Sequence, residues 1–451
     1  MGTVGYSGAT AAEPAAVAWR APRATGPLDL RMTLPGSKSL TARELVLAAL
    51  ADGPSTIRRP LHSRDSWLMV DALRALGTSI EEVPGDGGFG PDLRVVPARL
   101  AGPARVHGGL AGTVLRFIAP VAALADGLVA VDGDEAARRR PVRPVIEALR
   151  ALGVRVDDEG EDGQLPFTVH GTGSVGGGEL SIDASASSQF VSALLLAAPR
   201  FEAGLALRHT GARLPSQPHI EMTLAALRAR DVSASSPAPG VWRVEPGPIA
   251  AVDTVIEPDL SNAAPFLAAA LVAGGRVAIG GWPEATTQVG DSLRELLPRY
   301  GATVSRRGDA VVVEAPGVGA GPLPAVDLDL SEGGELAPTF AALAALGAGP
   351  ARLTGIGHLR GHETDRLAAL AEDLGALGAA VRILDDGLEI APAPLHGGRW
   401  RSFADHRIAT TGALLGLVVD GVELDDVATT AKTLPEFPQL WAALVASGTP
   451  A

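Results

Sequence analysis

The sequence repeats one junction, a helical pattern that ends at a glycine and continues as a strand pattern, at intervals of 70 to 78 residues. In segments such as DALRALGTSI and EALRALGVRV, alternating β-branched residues follow the glycine, which predicts a helix, its C-cap and a strand. The interval is too long for a solenoid repeat, which spans about 20 to 50 residues. Six units fill the chain, so we predict an α/β fold of six βαβαββ subdomains in two groups of three. The junctions fall at Gly77, Gly153, Asp231, Gly301, Gly378 and Gly448.

Two short segments containing proline are the predicted crossings between the two groups. They are residues 34–36 (LPG) and residues 256–258 (IEP). If the chain crosses there, one lobe comprises residues 36–257, and the other combines residues 1–35 with residues 258–451. Two lobes joined by two strands form a hinge, and the gap between them is the expected ligand site.

Composition narrows the classes of partner. A formal net charge of −13 argues against nucleic acid and anionic lipid, and no stretch of about 20 residues is free of charge or turn formers, as a membrane span requires. The absence of cysteine excludes disulfides and thiolate ligands, and no metal-ligand spacing occurs. We therefore expect a cytoplasmic monomer that uses no cofactor and binds neither nucleic acid nor membranes.

Lysine is almost absent from the chain. Of the 38 basic residues, all but Lys38 and Lys432 are arginine. In a chain biased so strongly towards arginine, a lysine is expected where a compact ammonium group is needed and a planar guanidinium does not fit. Chance survival explains either lysine alone, but both lie within the motifs below.

The first lobe offers several helix starts that carry polar or basic residues. A helix start favours anions because its N–H groups are free and its dipole is positive there. Each such start is also compatible with an ordinary capped helix. The segments are LPGSKSLTAREL with Lys38, Ser39 and Arg43, GGLAGTVLRFIAP with Gly112 and Arg116, RRRPVRPVIEALR with Arg140 and Pro141, DASASSQF with Ser187, Ser188 and Gln189, and LPSQPHIEM with Ser216 and His219.

The second lobe adds carboxylates to the same pattern. Glu363 and Arg366 in RGHETDRL are predicted to share one helical face, although a surface ion pair would give the same spacing. Asp259 and Ser261 are predicted to open a helix. The other candidates are Glu335 in SEGGELAPTF, His362 beside Glu363, Asp405, His406 and Arg407 in FADHRIATTG, and Lys432 in AKTLPEF.

Taken in order, these segments resemble the 5-enolpyruvylshikimate-3-phosphate synthase family. The recognisable pieces run from PGSKS at residue 35 to the proline, glutamate and phenylalanine after AKT at residue 437. The resemblance implies the two-lobe enolpyruvyl transferase fold. It also implies transfer of the enolpyruvyl group of phosphoenolpyruvate to the 5-hydroxyl of shikimate 3-phosphate, in the shikimate pathway of aromatic amino acid biosynthesis.

The resemblance also assigns residues to the two substrates. Shikimate 3-phosphate would be held by Lys38, Ser39, Arg43, Ser187, Ser188, Gln189, Ser216, Glu335 and His362. Phosphoenolpyruvate would be held by Lys38, Gly112, Arg140, Gln189, Arg366, Arg407 and Lys432. The catalytic set would be Lys38, Glu335 as the base for the hydroxyl, Glu363 as the group that protonates and deprotonates the methylene carbon, and Asp405 and His406 against phosphoenolpyruvate.

The chain departs from the family pattern at four of these sites. Glu335, His219, His362 and Leu110 stand where many members have Asp, Tyr, Lys and Asn. Since a histidine is only partly charged near neutral pH, we expect phosphoenolpyruvate affinity to weaken above about pH 7. Glyphosate competes with phosphoenolpyruvate in this family, and Gly112 leaves it room, whereas Phe117 replaces a common proline.

Two alternatives remain at this stage. The sister enzyme that uses UDP-N-acetylglucosamine shares the fold and the donor, but its usual catalytic acid is a cysteine, which this chain lacks. A non-catalytic paralogue would keep the cleft without the reaction, which the retained Glu335 and Glu363 argue against.

Overall fold

The computed structural model of the chain describes residues 18–158 and 163–448. Strands and helices alternate throughout this part of the chain. The strands are β1 (Trp19–Arg20), β2 (Leu28–Met32), β3 (Ser55–Arg58), β4 (Ser79–Val83), β5 (Asp92–Val96), β6 (Ala104–His107), β7 (Asp126–Asp132), β8 (Arg155–Asp158), β9 (Phe167–Thr172), β10 (Gly178–Ile182), β11 (Leu205–His209), β12 (Ala234–Ala238), β13 (Val241–Val244), β14 (Thr254–Val255), β15 (Gly275–Ile279), β16 (Thr303–Arg307), β17 (Ala310–Ala315), β18 (Leu328–Asp329), β19 (Ala351–Thr354), β20 (Ala380–Leu384), β21 (Gly387–Ala391), β22 (Gly398–Trp400) and β23 (Val422–Leu424). The α-helices are α1 (Lys38–Ala49), α2 (Arg64–Ala75), α3 (Gly112–Ala123), α4 (Arg143–Ala151), α5 (Gln189–Ala197), α6 (Pro218–Arg228), α7 (Ala263–Ala273), α8 (Leu293–Leu296), α9 (Ala337–Ala345), α10 (Arg366–Ala376), α11 (His406–Gly416) and α12 (Phe437–Ala446).

The described strands form six small sheets, five of four strands and one of three. In the unit built from β6, α3, β7, α4, β8 and β9, β6 and β7 are parallel, and β7, β9 and β8 continue the sheet antiparallel. Parallel neighbours need a crossover connection, which α3 supplies, whereas β8 and β9 are joined as an antiparallel pair. This order is the predicted βαβαββ subdomain.

Two further units, β10 to β13 with α5 and α6 and β18 to β21 with α9 and α10, repeat that order. The remaining three take one strand from a distant part of the chain. Strand β14 pairs parallel with β3, β2 pairs parallel with β15, and β1 pairs antiparallel with β23. The predicted α/β fold of six small subdomains is confirmed.

Most of the predicted helix ends have the expected left-handed cap. Gly77, Gly153, Gly301 and Gly378 have φ values of 107°, 84°, 92° and 108°, a region that glycine enters without steric cost. The predicted helix end at Gly448 is confirmed, since α12 ends at Ala446 with Ser447 as its C-cap, but Gly448 is not among the glycines with positive φ. Gly448 is needed for a different reason: a Cβ there would lie 2.6 Å from the carbonyl oxygen of Gly26.

Two hydrophobic cores are distinct in sequence. The first contains buried side chains between Ala42 and Ile256. The second combines Ala21, Leu28 and Leu34 with side chains between residues 260 and 444. Helix α7 is buried on nearly all sides in the second core, as expected for a helix that is apolar around its whole circumference.

The two segments predicted as crossings lie side by side. Gly36 and Pro258 form an antiparallel bridge. The N–H of Ser37 donates to the Glu257 carbonyl at 2.8 Å, and the N–H of Asp259 donates to the Pro35 carbonyl at 2.9 Å. The chain therefore passes between the two cores along two hydrogen-bonded strands. Within the described residues, no helix is long and apolar enough to cross a membrane.

Candidate active site

One cavity lies where segments from the two cores face each other, and it gathers most of the predicted site residues. Its walls include Lys38, Ser39, Gly112, Arg140, Ser187 and Gln189 from one side, and Glu335, His362, Glu363, Arg366, His406 and Arg407 from the other. Arg43, Ser188, Ser216, Asp405 and Lys432 are not among the wall residues, although several of them contact the wall from behind.

Lys38 lies at the first position of α1, where Ser37 caps the helix. Its backbone N–H donates to Asp259 at 3.1 Å, so a residue next to the second crossing fixes this helix start. The Lys38 ammonium is 3.9 Å from the buried carboxylate of Asp65. Burial lowers the pKa of Lys38, which Asp65 and Glu363 partly oppose while Lys432 and Arg407 add to it. Placing this amine in the cavity is therefore costly without an anionic partner.

Gly112 opens α3 between two guanidinium groups. A Cβ at this position would lie 3.0 Å from Arg140 and 3.1 Å from Arg116, so the glycine lets both cations approach the helix start. Arg140 donates to the Leu110 carbonyl at 2.8 Å, and Arg116 donates to the Gln189 side chain at 2.6 Å. The predicted helix start at Pro141 is wrong, because α4 begins at Arg143.

Glu363 is surrounded by positive groups. It accepts a hydrogen bond from Lys432 and another, at 3.1 Å, from Arg366, and Arg140 lies 3.8 Å away. Burial alone would raise the pKa of Glu363, but Lys432, Arg140 and Arg366 together hold it well below its usual range. Glu363 is thus ionised in the ligand-free protein at neutral pH.

The predicted shared helical face of Glu363 and Arg366 is only half right. The two side chains do pair, but α10 begins at Arg366 with Asp365 as its cap, so Glu363 precedes the helix. Arg366 is held from the other side by Asp405, whose two oxygens accept at 2.8 and 3.2 Å. This bidentate pair is almost fully buried and fixes the guanidinium plane.

Asp405 also caps α11 by accepting from the Arg407 N–H at 2.8 Å, which confirms the predicted helix start. His406, the first residue of that helix, lines the cavity. Burial lowers the pKa of His406 well below its usual value, and Arg407 and Lys38 add to the effect. His406 is therefore neutral, and its Nδ1 has no hydrogen-bond partner among the described residues.

Glu335 faces the cavity from a short 3₁₀ turn, Gly334–Leu336. Its Oε1 accepts from Ser261 at 3.1 Å and lies 3.3 Å from His219 Nε2 on the opposite wall. Burial would raise the pKa of Glu335, but His219, Arg407 and Ser261 lower it below its usual range. The prediction that Asp259 and Ser261 open a helix is shifted by a few residues, because α7 starts at Ala263.

His362 differs from its sequence prediction. Burial lowers its pKa well below the usual value for histidine, and Arg366 adds to this effect while Glu363, 3.8 Å away, opposes it. Burial therefore argues against the expected partial charge near neutral pH. The weakening of phosphoenolpyruvate affinity above about pH 7 stays a prediction.

Arg43 is not among the residues of the cavity wall and is almost fully buried beside it. Its guanidinium donates to Thr223, to the carbonyls of Ser39 and His219, and to Ser192. With its donors taken up in this way, Arg43 supports the wall from behind. A direct contact with a substrate stays a prediction.

The three predicted serines lie at two helix starts. Ser187 accepts from the Gln189 N–H at 3.2 Å, and Ser188 precedes α5. Ser216 adopts a φ of 53°, which is rare for serine, and its N–H donates to the carbonyl of Ser331 at 3.1 Å. This last bond joins the side of the first core to the side of the second.

Asp65 and Gln288 are among the cavity residues that sequence reasoning missed. Asp65 follows the cap of α2, where an acidic residue is commonplace, so no signal distinguished it. Gln288 donates to Glu257 and to the Pro258 carbonyl and accepts from the Leu260 N–H, which ties the second crossing to the cavity wall. Its position in a turn far from the motifs gave no sequence signal.

The arrangement suits proton transfer beside bound anions. Lysine and arginine groups can neutralise phosphate and carboxylate groups, and the carboxylates of Glu335 and Glu363, both on the second-core side, can exchange protons with separate atoms of a reacting pair.

The chain matches known proteins over nearly its whole length. The family model described as EPSP synthase (3-phosphoshikimate 1-carboxyvinyltransferase) matches residues 22–441. A 3-phosphoshikimate 1-carboxyvinyltransferase of Kocuria rhizophila is 58% identical over 435 residues, which cover 95% of this chain and 97% of that protein.

Solved structures agree on the fold. An EPSP synthase from Acinetobacter baumannii superposes with a TM-score of 0.77 at 23% identity, covering 94% of this chain and 97% of that one. The enolpyruvyl transferase NikO from Streptomyces tendae gives a TM-score of 0.73 at 18% identity, covering 94% and 96%.

Proposed function

The chain belongs to the EPSP synthase family, and from this membership we infer that it transfers the enolpyruvyl (1-carboxyvinyl) group of phosphoenolpyruvate to the 5-hydroxyl of shikimate 3-phosphate. Phosphate is released, and the reaction belongs to the shikimate pathway of aromatic amino acid biosynthesis. The observation that carries this conclusion is the 58% identity to a 3-phosphoshikimate 1-carboxyvinyltransferase over 95% of the chain.

The electrostatics of the cavity support the same reaction. Phosphoenolpyruvate and shikimate 3-phosphate are both multiply anionic, and each pair of unit charges at 4 Å repels by about 4 kcal/mol at an effective dielectric of 20. We propose that Lys38, Gly112, Gln189, Arg140, Arg366, Arg407 and Lys432 bind phosphoenolpyruvate. The cations among them offset the repulsion between the substrates.

The polar residues on the first-core side suit the second substrate. We propose that Lys38, Ser39, Arg43, Ser187, Ser188, Gln189 and Ser216 bind shikimate 3-phosphate, with Glu335 and His362 reaching it from the second-core side. The three serines place hydroxyl groups before or at the starts of α5 and α6, where the helix dipole favours a phosphate. Arg43 would act through the wall that it supports, since its hydrogen bonds go to protein groups.

Glu363 is the proposed acid for the methylene carbon. Protonation of the methylene carbon makes C2 cation-like, and the shikimate hydroxyl adds to C2. Phosphate then leaves from C2 as a proton departs from the former methylene carbon. Because three cations keep Glu363 ionised before substrates bind, the anionic groups of phosphoenolpyruvate must first neutralise part of that charge. Substrate binding thus prepares the acid.

Glu335 is the proposed base for the hydroxyl, and Asp405 and His406 complete the catalytic set. Asp405 acts by fixing Arg366 and the start of α11, and neutral His406 faces the cavity as a potential hydrogen-bond partner for phosphoenolpyruvate. Lys38 lies where it can contact both substrates.

We propose that residues 36–257 form one lobe, that residues 18–35 with 258–448 form the other, and that the two lobes close over the substrates. The remaining residues of the predicted division, 1–17, 159–162 and 449–451, lie outside the described part of the chain. The two hydrophobic cores and the paired crossings support this division. Closure would exclude water that could otherwise capture the cationic centre. The cytoplasmic location, the monomeric state and inhibition by glyphosate at the phosphoenolpyruvate site stay predictions.

Phosphate release tests the proposal. The purified protein is incubated with phosphoenolpyruvate and either shikimate 3-phosphate or UDP-N-acetylglucosamine, and product formation is followed by mass spectrometry. Release that depends on shikimate 3-phosphate supports the assignment. Release only with the nucleotide sugar would assign the sister reaction, and release with neither would contradict catalysis.

A further inference from the structure

We propose that His219 positions Glu335, so that one oxygen of this carboxylate is fixed by protein and the other is presented to the hydroxyl group of shikimate 3-phosphate. The inference rests on the proposed function and concerns a residue outside the substrate and catalytic sets given above. His219 belongs to the first-core side of the cavity and Glu335 to the second-core side, so their contact joins the two walls.

The hydrogen bonds of Glu335 are one-sided. Ser261 Oγ lies 3.1 Å and His219 Nε2 lies 3.3 Å from the same atom, Oε1. Within residues 18–158 and 163–448, no hydrogen bond reaches Oε2. Because an ionised carboxylate can only accept, the His219 contact requires a proton on Nε2. Two donors therefore hold Oε1, and Oε2 is left to accept from a substrate.

The backbone of His219 is fixed as firmly as its ring. Its carbonyl accepts from Arg43 at 2.8 Å, from Thr223 at 3.0 Å and from Ser192 at 3.3 Å. Arg43 is only 1% exposed, so a buried charge is used to hold this carbonyl. A side chain supported in this way has little freedom to leave Glu335.

The two positions also depart together from the residues expected on resemblance, Tyr for His219 and Asp for Glu335. The longer arm of glutamate reaches towards the opposite wall, where the imidazole meets it.

The proton transfer is simple in this arrangement. The O–H bond of the substrate breaks as its oxygen forms a bond to C2 of the enolpyruvyl group, and the proton passes to Oε2 of Glu335. His219 keeps its own proton on Nε2 throughout. It acts through Glu335 and does not carry the substrate proton.

Several charged or titratable groups, His219 among them, face Glu335. Donors and cations favour the ionised carboxylate, so loss of the His219 donor would raise the pKa of Glu335 towards its ordinary value. His358 is a useful comparison, because burial lowers its pKa and it has no hydrogen bond to Glu335. The facing groups are Arg43, His219, His358, Arg366 and Arg407.

The test compares His219→Leu, which removes the donor, with His219→Gln, whose amide nitrogen can replace Nε2 but cannot titrate. We expect His219→Leu to lower kcat by about tenfold to a hundredfold, the effect of losing a hydrogen bond to a charged group. In the pH profile of kcat for His219→Leu, the acidic limb should lie about one pH unit higher than in the wild-type protein. KM for shikimate 3-phosphate should change by less than about threefold, and His219→Gln should restore most of kcat.

Two controls separate positioning from general damage. His358→Gln should leave the acidic limb in place, since it removes a neutral ring that is not bonded to Glu335. In a Glu335→Gln background, His219→Leu should lower kcat by less than about threefold further, because the two residues act as one unit. If His219→Leu does not fold, His219→Asn, whose arm is too short to reach Oε1, replaces it.

Unchanged kcat and an unmoved acidic limb in the donor-free variant would overturn the proposal, as would full additivity with Glu335→Gln. Failure of the wild-type protein to release phosphate with shikimate 3-phosphate would instead contradict the proposed function. The two failures are therefore distinguishable in one series of assays.

Discussion

Replacing Glu363 by glutamine removes a titratable carboxylate from the most positive part of the cavity. The amide is close in size to the carboxylate, but Lys432 and Arg366 donate to different carboxylate oxygens, so the single amide oxygen can keep only one of these two hydrogen bonds. It cannot deliver a proton to carbon. Glu363→Gln therefore tests the acid without emptying the site.

The structure sets the size of the expected effects. At the 3.8 Å that separates Glu363 from Arg140, one pair of unit charges is worth about 4 kcal/mol at an effective dielectric of 20. A substrate anion that neutralises one of the cations therefore raises the pKa of Glu363 towards its ordinary value. This rise turns a carboxylate into a usable acid.

Loss of that acid should lower kcat by a factor of about 100 or more. Binding of phosphoenolpyruvate should be unchanged or tighter, since the amide no longer repels the anion. Wild-type protein should also take up protons when both substrates bind near pH 6, and Glu363→Gln should not. Stopped-flow phosphate release gives the rate, and calorimetry in buffers of different ionisation enthalpy gives the proton count.

Turnover within tenfold of wild type would remove Glu363 from the proton transfer. Lost binding with normal folding would mean instead that the carboxylate organises the cations. Equal proton uptake in both proteins would refute the electrostatic argument itself, even if turnover fell.

Three further predictions follow from the contacts. Gly112→Ala places a methyl group about 3.0 Å from a guanidinium nitrogen of Arg140. We therefore expect KM for phosphoenolpyruvate to rise at least about tenfold, with a smaller change in kcat. An unchanged KM in steady-state assays would contradict this prediction. Asp405→Asn removes the bidentate carboxylate partner of the buried Arg366 and leaves Glu363 as its anionic partner. The variant should lose about 3 kcal/mol of the free energy of unfolding, the lower end of the cost of breaking a buried ion pair. Denaturant unfolding measures this, and a loss under about 1 kcal/mol would contradict it. Burial raises the pKa of Asp373 to about 7 in the folded protein. Its contribution to stability therefore falls as the pH rises from the pKa of aspartate in the unfolded chain towards 7. Asp373→Asn should thus raise Tm by about 2 °C or more at pH 8 but little at pH 4. A Tm difference that does not depend on pH would contradict the last prediction.

Local signals predicted the architecture well because the chain repeats them. A glycine in the left-handed region can be recognised wherever a helical pattern meets a strand pattern, as at Gly77 and Gly378. The same signals fail where close packing, not conformation, requires glycine. Gly448 is such a case, since its neighbour is a distant backbone carbonyl.

Helix starts were predictable from caps, but side-chain directions were not. Lys38 and His406 begin their helices as predicted, and Gly112 begins α3 one residue before the predicted start at Thr113; all three line the cavity. Arg43 is one turn beyond Lys38, yet its direction is set by Thr223 and other groups far away in sequence. Burial of His362 likewise depends on the tertiary fold, and so its pKa could not be read from neighbouring residues.

The ligand-free cavity is not simply a concentration of positive charge. Lys38 faces Asp65, Arg366 is paired with Asp405, Lys432 contacts Glu363, and Arg407 lies near Glu335 and Asp259. Each cation that is proposed to bind a substrate anion therefore already lies near a carboxylate. In this protein of net charge −13, the nearby carboxylate reduces the free-energy cost of burying the cation. When a phosphate or carboxylate of the substrate takes over such a cation, the displaced carboxylate loses the charge that kept it ionised, and its pKa must rise. The same ion pairs that stabilise the ligand-free site thus couple substrate binding to the proton affinity of Glu363, so that its acid form becomes available only when there is a substrate to protonate.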